Sequence, residues 1–270
     1  MGKQQLGQTQ HLLELDGRIA CRIHDFDSVG LTGGSRAAGR PMNFSIGAGT
    51  SSDVFRWIAK STAEGARKSG AIIAMNSSLQ SVLRLRFLNA LIASIGIPEL
   101  SPAIGNGYLR LGILPEQFTE VIGQEKVNPG VHGGSFGPLR TGSFRLAIEG
   151  LEKDCAHVKR ILPFAIRTKT KGLYVGSSTA PAFEPTGSEV PNLVLELPAA
   201  QAVEMWAWHE ATLAGSPQTA TKNGTLQLAP GSGHSSPKID LRGLSIVSVS
   251  KGSGVARVEL ACESMMVSAG

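Results

Sequence analysis

Two residue series, one in each half of the chain, run in the same order with similar gaps. The first opens with Leu12-Leu13-Glu14-Leu15-Asp16-Gly17, followed by Cys21 and His24. The second opens with Phe144-Arg145-Leu146-Ala147-Ile148-Glu149-Gly150, followed by Cys155 and His157. Pro41-Met42-Asn43-Phe44-Ser45-Ile46 answers to Pro191-Asn192-Leu193-Val194-Leu195-Glu196, and Phe55-Arg56-Trp57 to Trp206-Ala207-Trp208. Leu83-Arg84-Leu85-Arg86 answers to Ile239-Asp240-Leu241-Arg242, and the stretch from Gly107 to Ile113 to that from Gly254 to Leu260. Short alternating stretches match by chance one at a time. Five pairs in one order point to a tandem duplication, in which each copy must bury its own core.

The length of 270 residues suits two domains of ordinary size. Residues 1–130 carry 13 basic and 10 acidic side chains and residues 131–270 carry 13 and 11, so the net +5 divides as +3 and +2. No Lys/Arg-rich run exists, which excludes a dedicated nucleic-acid tail. Aromatic residues make up 5% of the chain, too few for a base-stacking platform. Cys21, Cys155 and Cys262 are widely spaced, lack any paired metal-ligand spacing, and read as small buried hydrophobes in a reducing compartment. The polar first ten residues have no apolar stretch of signal-peptide type. The stretch from Phe87 to Ile97 is too short for a bilayer helix and contains Asn89.

Period-two alternation dominates, so the expected fold class is mainly β. Strands are expected at Leu13–Ile23, Phe44/Ile46, Ile72/Ile73, Val82–Leu88 and Tyr108–Leu114. In the second half they fall at Leu146/Ile148, Ile161–Ile166, Leu193/Leu195, Leu226/Leu228, Leu241–Val249 and Val255–Leu260. Each half holds one helical segment at the same place. Asp53 is the expected cap of the first, with Val54, Trp57 and Ile58 on one face. The second, about Ala199–Ala214, sets Ala199, Val203, Trp206 and Ala207 on one face. The resulting organisation is an N-terminal arm (1–10), a first domain (11–123), a linker (124–143) and a second domain (144–270). The loop after the first hairpin is short in copy one (Leu31–Arg40) and long in copy two (Lys169–Val190).

Chemical signatures are sparse. Gly47-Ala48-Gly49-Thr50-Ser51-Ser52-Asp53 joins a strand to a helix, a setting in which backbone amides bind phosphate. Ser52 stands where a dinucleotide fingerprint has its third glycine, and the equivalent stretch around Leu197-Pro198 has no glycine, so an ordinary capped turn is the better reading. His209-Glu210 lacks the second histidine of a zinc-protease helix, and Ser235-Ser236-Pro237-Lys238 falls in a turn instead of a helix start. Catalytic, metal and cofactor residues are therefore all expected to be absent.

In order and spacing, the Leu-x-Leu-Asp-Gly hairpin, Pro-led strand, Trp-bearing helix, Leu-x-Leu-Arg strand and Arg-centred closing strand resemble the tail tube proteins of contractile phages and phage-like injection systems. The resemblance rests on Leu15-Asp16-Gly17 with Ile148-Glu149-Gly150, and on Val54-Phe55-Arg56-Trp57 with Met205-Trp206-Ala207-Trp208. It covers nearly the whole chain outside the arm and linker, through short and degenerate motifs. It implies two tandem β-sandwich or barrel domains, each with a flanking helix, related to the ring protein of type VI secretion. It implies a non-enzymatic structural protein of a virion tail or injection particle, assembled in the bacterial cytoplasm. Rings would stack into a conduit for DNA or protein cargo.

Most members of that family carry one domain per chain. Two domains here favour trimeric, pseudo-hexameric rings over hexamers. Sheath, tape-measure and baseplate proteins are the implied partners, with no membrane. Interface roles are implied for Trp57, Trp206 and Trp208 in the helices. They are also implied for a stacking arm with Lys169 and Lys171 at its base and Leu173-Tyr174-Val175 as apolar anchor. A tail hub or tube initiator is the nearest alternative, and a soluble two-domain ligand-binding β protein or a nucleotide-dependent enzyme using Gly47–Ser52 are rivals from other classes.

Overall fold

The computed structural model describes residues 10–27, 41–123, 125–128, 137–173, 182–215, 221–228 and 236–270. It is mainly β, and its compact units are not the two sequence halves. The first unit comprises Met1–Ser94, Arg110–Gly137 and Thr168–Gly187, and the second comprises Ile95–Leu109, Pro138–Arg167 and Ser188–Gly270.

The first unit is a closed barrel. Strands β1 (Gln10–Leu15), β2 (Arg18–Asp27), β3 (Met42–Ile46), β4 (Lys68–Met75), β5 (Ser81–Ile97) and β6 (Leu109–Leu114) follow one another in sequence. They pair in the spatial order β5-β4-β1-β2-β3-β6, and β6 returns to β5. Closure removes the free edges that an open sheet would expose. Asp16 (φ 49°) and Gly17 (φ 78°) both have positive φ, the geometry of a two-residue hairpin turn that matches the strand twist. The barrel interior takes the alternate residues Leu13, Phe44, Ile46, Ile72, Leu85 and Phe87, each 2% exposed or less.

Helix α1 (Ser52–Glu64) buries Val54, Phe55, Trp57 and Ile58, the face expected from the sequence. Its N-cap is Ser51, not Asp53, which sits inside the first turn and pairs with Arg56 at 2.6 Å. Gly65 (φ 70°) ends the helix, and its amide and that of Ala66 bond back to Ser61 and Lys60. The buried Ser61 hydroxyl accepts from the Ile92 amide at 2.9 Å, fixing the helix against β5. Strand β7 (Gln117–Val121) adds to β5. The expected linker is not free at its start: Gln80 bridges Lys126, and Val127 joins Leu12, Ala71, Ile73 and Met75 in a small core.

The long segment expected as a loop over Lys169–Val190 is largely a hairpin. Its strands are β10 (Phe164–Leu173) and β11 (Ala182–Glu189), and β10 pairs with β5. Thr168 donates to the Ile92 carbonyl at 2.7 Å, and Arg67 donates to the Phe183 carbonyl.

The second unit uses β8 (Phe144–Ile148), α2 (Glu152–Cys155), β9 (Arg160–Ile161), β12 (Leu193–Pro198), a 3-10 turn (Ala199–Gln201) and α3 (Val203–Leu213). Strands β13 (Lys222–Leu228), β14 (Pro237–Gly252), β15 (Val255–Ala261) and β16 (Ser264–Ala269) follow. The spatial order is β8-β13-β14-β15-β12-β9, with β16 beside β14. In chain order this is the first unit's path, β1-β4-β5-β6-β3-β2 with β7 beside β5. The two sheets differ in the β10–β11 hairpin, which the first adds to β5, and in closure. In the first unit β2 closes onto β1, whereas the chain after β8 coils into α2 and, among the described residues, β8 pairs only with β13.

The expected face of the second helix does not survive. Met205 and Trp208 are the buried residues of α3, while Val203 is 66% exposed. The helix begins after a 3-10 turn, which rotates its register away from the one set by a helix starting at Ala199. The buried Asp154 carboxylate accepts from the Met205 amide at 2.8 Å and caps the first turn of α3, for which Ala202 supplies no side-chain cap.

Candidate functional site

Two amides of the Gly47–Ser52 turn are bonded to protein carbonyls, and a threonine hydroxyl closes the turn on itself. Ala48 donates to Gly137 at 2.8 Å, Ser51 to Ala20 at 2.9 Å, and Thr50 closes the turn onto the Gly47 carbonyl at 2.8 Å. With Asp53 adding negative charge in the first turn, this is a structural corner and a poor anion site. Burial pushes the thiols of Cys21 and Cys155 up to about 12, the opposite of an activated nucleophile. Cys262 is raised in the same direction by partial burial. Among the described residues no group of three or more His, Cys, Asp or Glu is placed to hold a metal ion. No helix of the described residues is long and apolar enough to cross a membrane.

The tryptophans occupy three different environments. Trp57 is 2% exposed and stacked on Phe87 at a centroid distance of 6.4 Å and an interplanar angle of 9°, inside the first unit. Trp208 is 6% exposed, with the Lys222 ammonium 5.5 Å from its ring centroid. Trp206 is half-buried and meets His209 edge to face. Lys169 and Lys171 are exposed on β10. Leu173 ends that strand, and Tyr174 and Val175 lie outside the described residues.

Sheet edges are the most accessible recognition elements, and pattern reading missed them because an edge is a property of topology. Among the described residues β7 pairs only with β5; it is largely exposed, with Val121 37% exposed and Ile122, just after it, 83% exposed. Strand β8 pairs, among the described residues, only with β13, and a cleft of about 390 Å³ is lined by β8 and α2. Among the described residues β16 pairs only with β14, and β11 only with β10. An unpaired strand edge presents a row of backbone donors and acceptors to a partner chain.

In the second unit a charge network ties one segment down. Arg160 grips Glu99 at 2.7 and 2.8 Å and also reaches Glu196 at 3.2 Å. The hydrogen bonds from Arg160 hold the Glu99 carboxyl below the usual carboxylate range. Beside it, Leu100 and Ile161 exchange backbone hydrogen bonds of 3.0 and 2.9 Å.

No protein-family model matches the chain. No curated protein matches it either. Among solved structures, a chain from the cryo-EM structure of the anti-feeding prophage baseplate, 6-fold symmetrised, aligns with 46% of this chain and 89% of its own length. That alignment has 11% identity and a TM-score of 0.32.

Proposed function

We propose that this chain is a structural, non-enzymatic component of a phage-like contractile injection system, built from two tube-type domains that enter one ring. The observation that carries the reading is the repeated strand path: β1-β4-β5-β6-β3-β2 with β7, and β8-β13-β14-β15-β12-β9 with β16. The residue series that resemble tube proteins fall at matching points of the two paths. Leu15 faces Gly70 before the Asp16-Gly17 turn, and Ile148 faces Gly224 before Glu149-Gly150. In this reading three chains supply six domains, and stacked rings form a conduit for DNA or protein cargo.

A role as hub or tube initiator is favoured by one further observation. The two copies are unequal, with one sheet closed and the other left open at β8. A ring of alternating domains suits a junction between a sixfold tube and a threefold element. Negative-stain microscopy of the purified chain tests the reading. Annular particles or tubes support it, and dispersed monomers at every concentration tried contradict it.

A further inference from the structure

The open edge of β8 has a counterpart in the same fold, and that counterpart is covered by a strand. In the first unit β1 lies between β4 and β2, with Arg18–Ile23 paired along it. In the second unit the chain after β8 turns into α2, and a cleft lined by Phe144, Ala147, Cys155, Ala156 and Val158 lies between β8 and α2. The edge of β8 beside this cleft thus lacks the strand that β2 supplies to β1 in the first unit.

Among the described residues five strands end a sheet path or branch from it with one strand neighbour: β7, β8, β9, β11 and β16. Strand β9 is two residues long and its Ile161 is already bridged by Leu100. Strand β11 carries Pro185, which cannot donate to a ladder. Strand β16 (Ser-Met-Met-Val-Ser-Ala) has no charge to set a register. Strand β7 (Gln-Phe-Thr-Glu-Val) is five residues long, as is β8 (Phe-Arg-Leu-Ala-Ile), and the two carry opposite charges. Antiparallel pairing at full overlap places Thr119 opposite Leu146, since both are the central residues. That register sets Glu120 opposite Arg145, Val121 opposite Phe144 and Phe118 opposite Ala147. Glu120 and Arg145 are both exposed, and neither side chain has a hydrogen-bond or ion-pair partner among the described residues. At the same overlap β7 on β7 would set Glu120 opposite Phe118, and β8 on β8 would set Arg145 opposite Ala147, so neither homotypic pairing gives the charge an opposite partner.

We infer that β8 receives the β7 edge of a second copy of this chain, in antiparallel register with Glu120 opposite Arg145. The inference rests on the ring-forming reading above and names one of its interfaces. Such a contact joins unlike surfaces, so it propagates from copy to copy and closes into a ring when the rotation allows.

The test is a charge swap in the full chain, read by native mass spectrometry and sedimentation over a range of concentrations, with thermal melting as a control for folding. Arg145→Glu and Glu120→Arg should each weaken assembly by about tenfold or more, while melting as the wild-type monomer does. The double variant should restore assembly. Glu120 lies on an exposed strand, so Glu120→Arg keeps the test open if Arg145→Glu fails to fold. Wild-type rings with both single variants assembling equally well would overturn the β7–β8 pairing and leave the ring reading standing. A double variant no better than either single one would do the same. A wild-type chain that stays monomeric would overturn both.

Discussion

The guanidinium of Arg160 holds the Glu99 carboxylate by two parallel hydrogen bonds, Nε to Oε1 at 2.7 Å and Nη2 to Oε2 at 2.8 Å. These residues are 61 positions apart, and the pair fastens the segment after β5 onto the strand edge at β9.

Arg160→Ala should loosen the segment from Ile95 to Leu109 without unfolding the sheet. Hydrogen exchange should quicken at Leu100 and Ile161, and proteolysis should find new sites near Glu99. The Glu99 carboxyl is lowered by its hydrogen bonds to Arg160. Its contribution is therefore present above the ordinary carboxylate range and lost as pH falls through the lowered value. Acid should release the segment in the wild type, and the Arg160→Ala variant should show no such dependence.

Gly70 and Gly224 are required by contact. A Cβ on Gly70 would collide with the Glu14 carbonyl oxygen, and one on Gly224 would lie 2.6 Å from the Ala147 carbonyl oxygen. Each carbonyl belongs to the residue before the one the glycine faces, Leu15 or Ile148. Gly70→Ala and Gly224→Ala should each cost about 1–3 kcal/mol by forcing backbone apart, read from denaturant titration. A neutral result at either site would separate the two copies at that point.

Trp57→Ala should cost about 3–5 kcal/mol, because it empties the space against Phe87. Trp206→Ala should cost clearly less in the isolated chain, since that ring is half-buried. If Trp206 serves an interface between copies, its loss should appear in ring yield and not in monomer melting. Equal destabilisation of the monomer by both variants would contradict these placements.

Thiol chemistry offers an independent check of both cores. Burial raises Cys21 and Cys155 to about 12 in the folded chain, whereas an unfolded thiol titrates near about 8.5. Between those values the folded state binds more protons, so stability is intact below about pH 8.5 and falls as pH rises toward 12. A thiol reagent should label Cys262 first, and Cys21 and Cys155 only on unfolding. Replacing both buried cysteines by alanine should flatten the alkaline loss.

Much of the fold was legible because it follows from alternation. Leu13, Leu15 and Phe44 point inward as period-two patterning requires, and the Asp16-Gly17 turn was marked by its residues. What pattern could not give is set by long-range partners. The N-terminal turn of α3 is capped by Asp154 from another helix, and local sequence around Ala202 contains no sign of it. The bulged, 17-residue β5 reads as a strand and then an apolar stretch, because Asn89 at φ 50° interrupts its alternation. The assignment of 95–109 and 168–187 to opposite units is invisible for the same reason, since Glu99 finds Arg160 and Thr168 finds Ile92 only in three dimensions. The contacts proposed between copies lie on strand edges, which alternation along the sequence does not reveal.

Native mass spectrometry of the assembled full-length chain tests the central claim most directly. If both copies of the domain enter the ring wall, the closed particle contains three chains and has threefold symmetry with a pseudo-sixfold wall. A closed particle of six chains would place one copy outside the wall, and a chain that stays monomeric at every concentration would leave no ring at all. Either result contradicts the account.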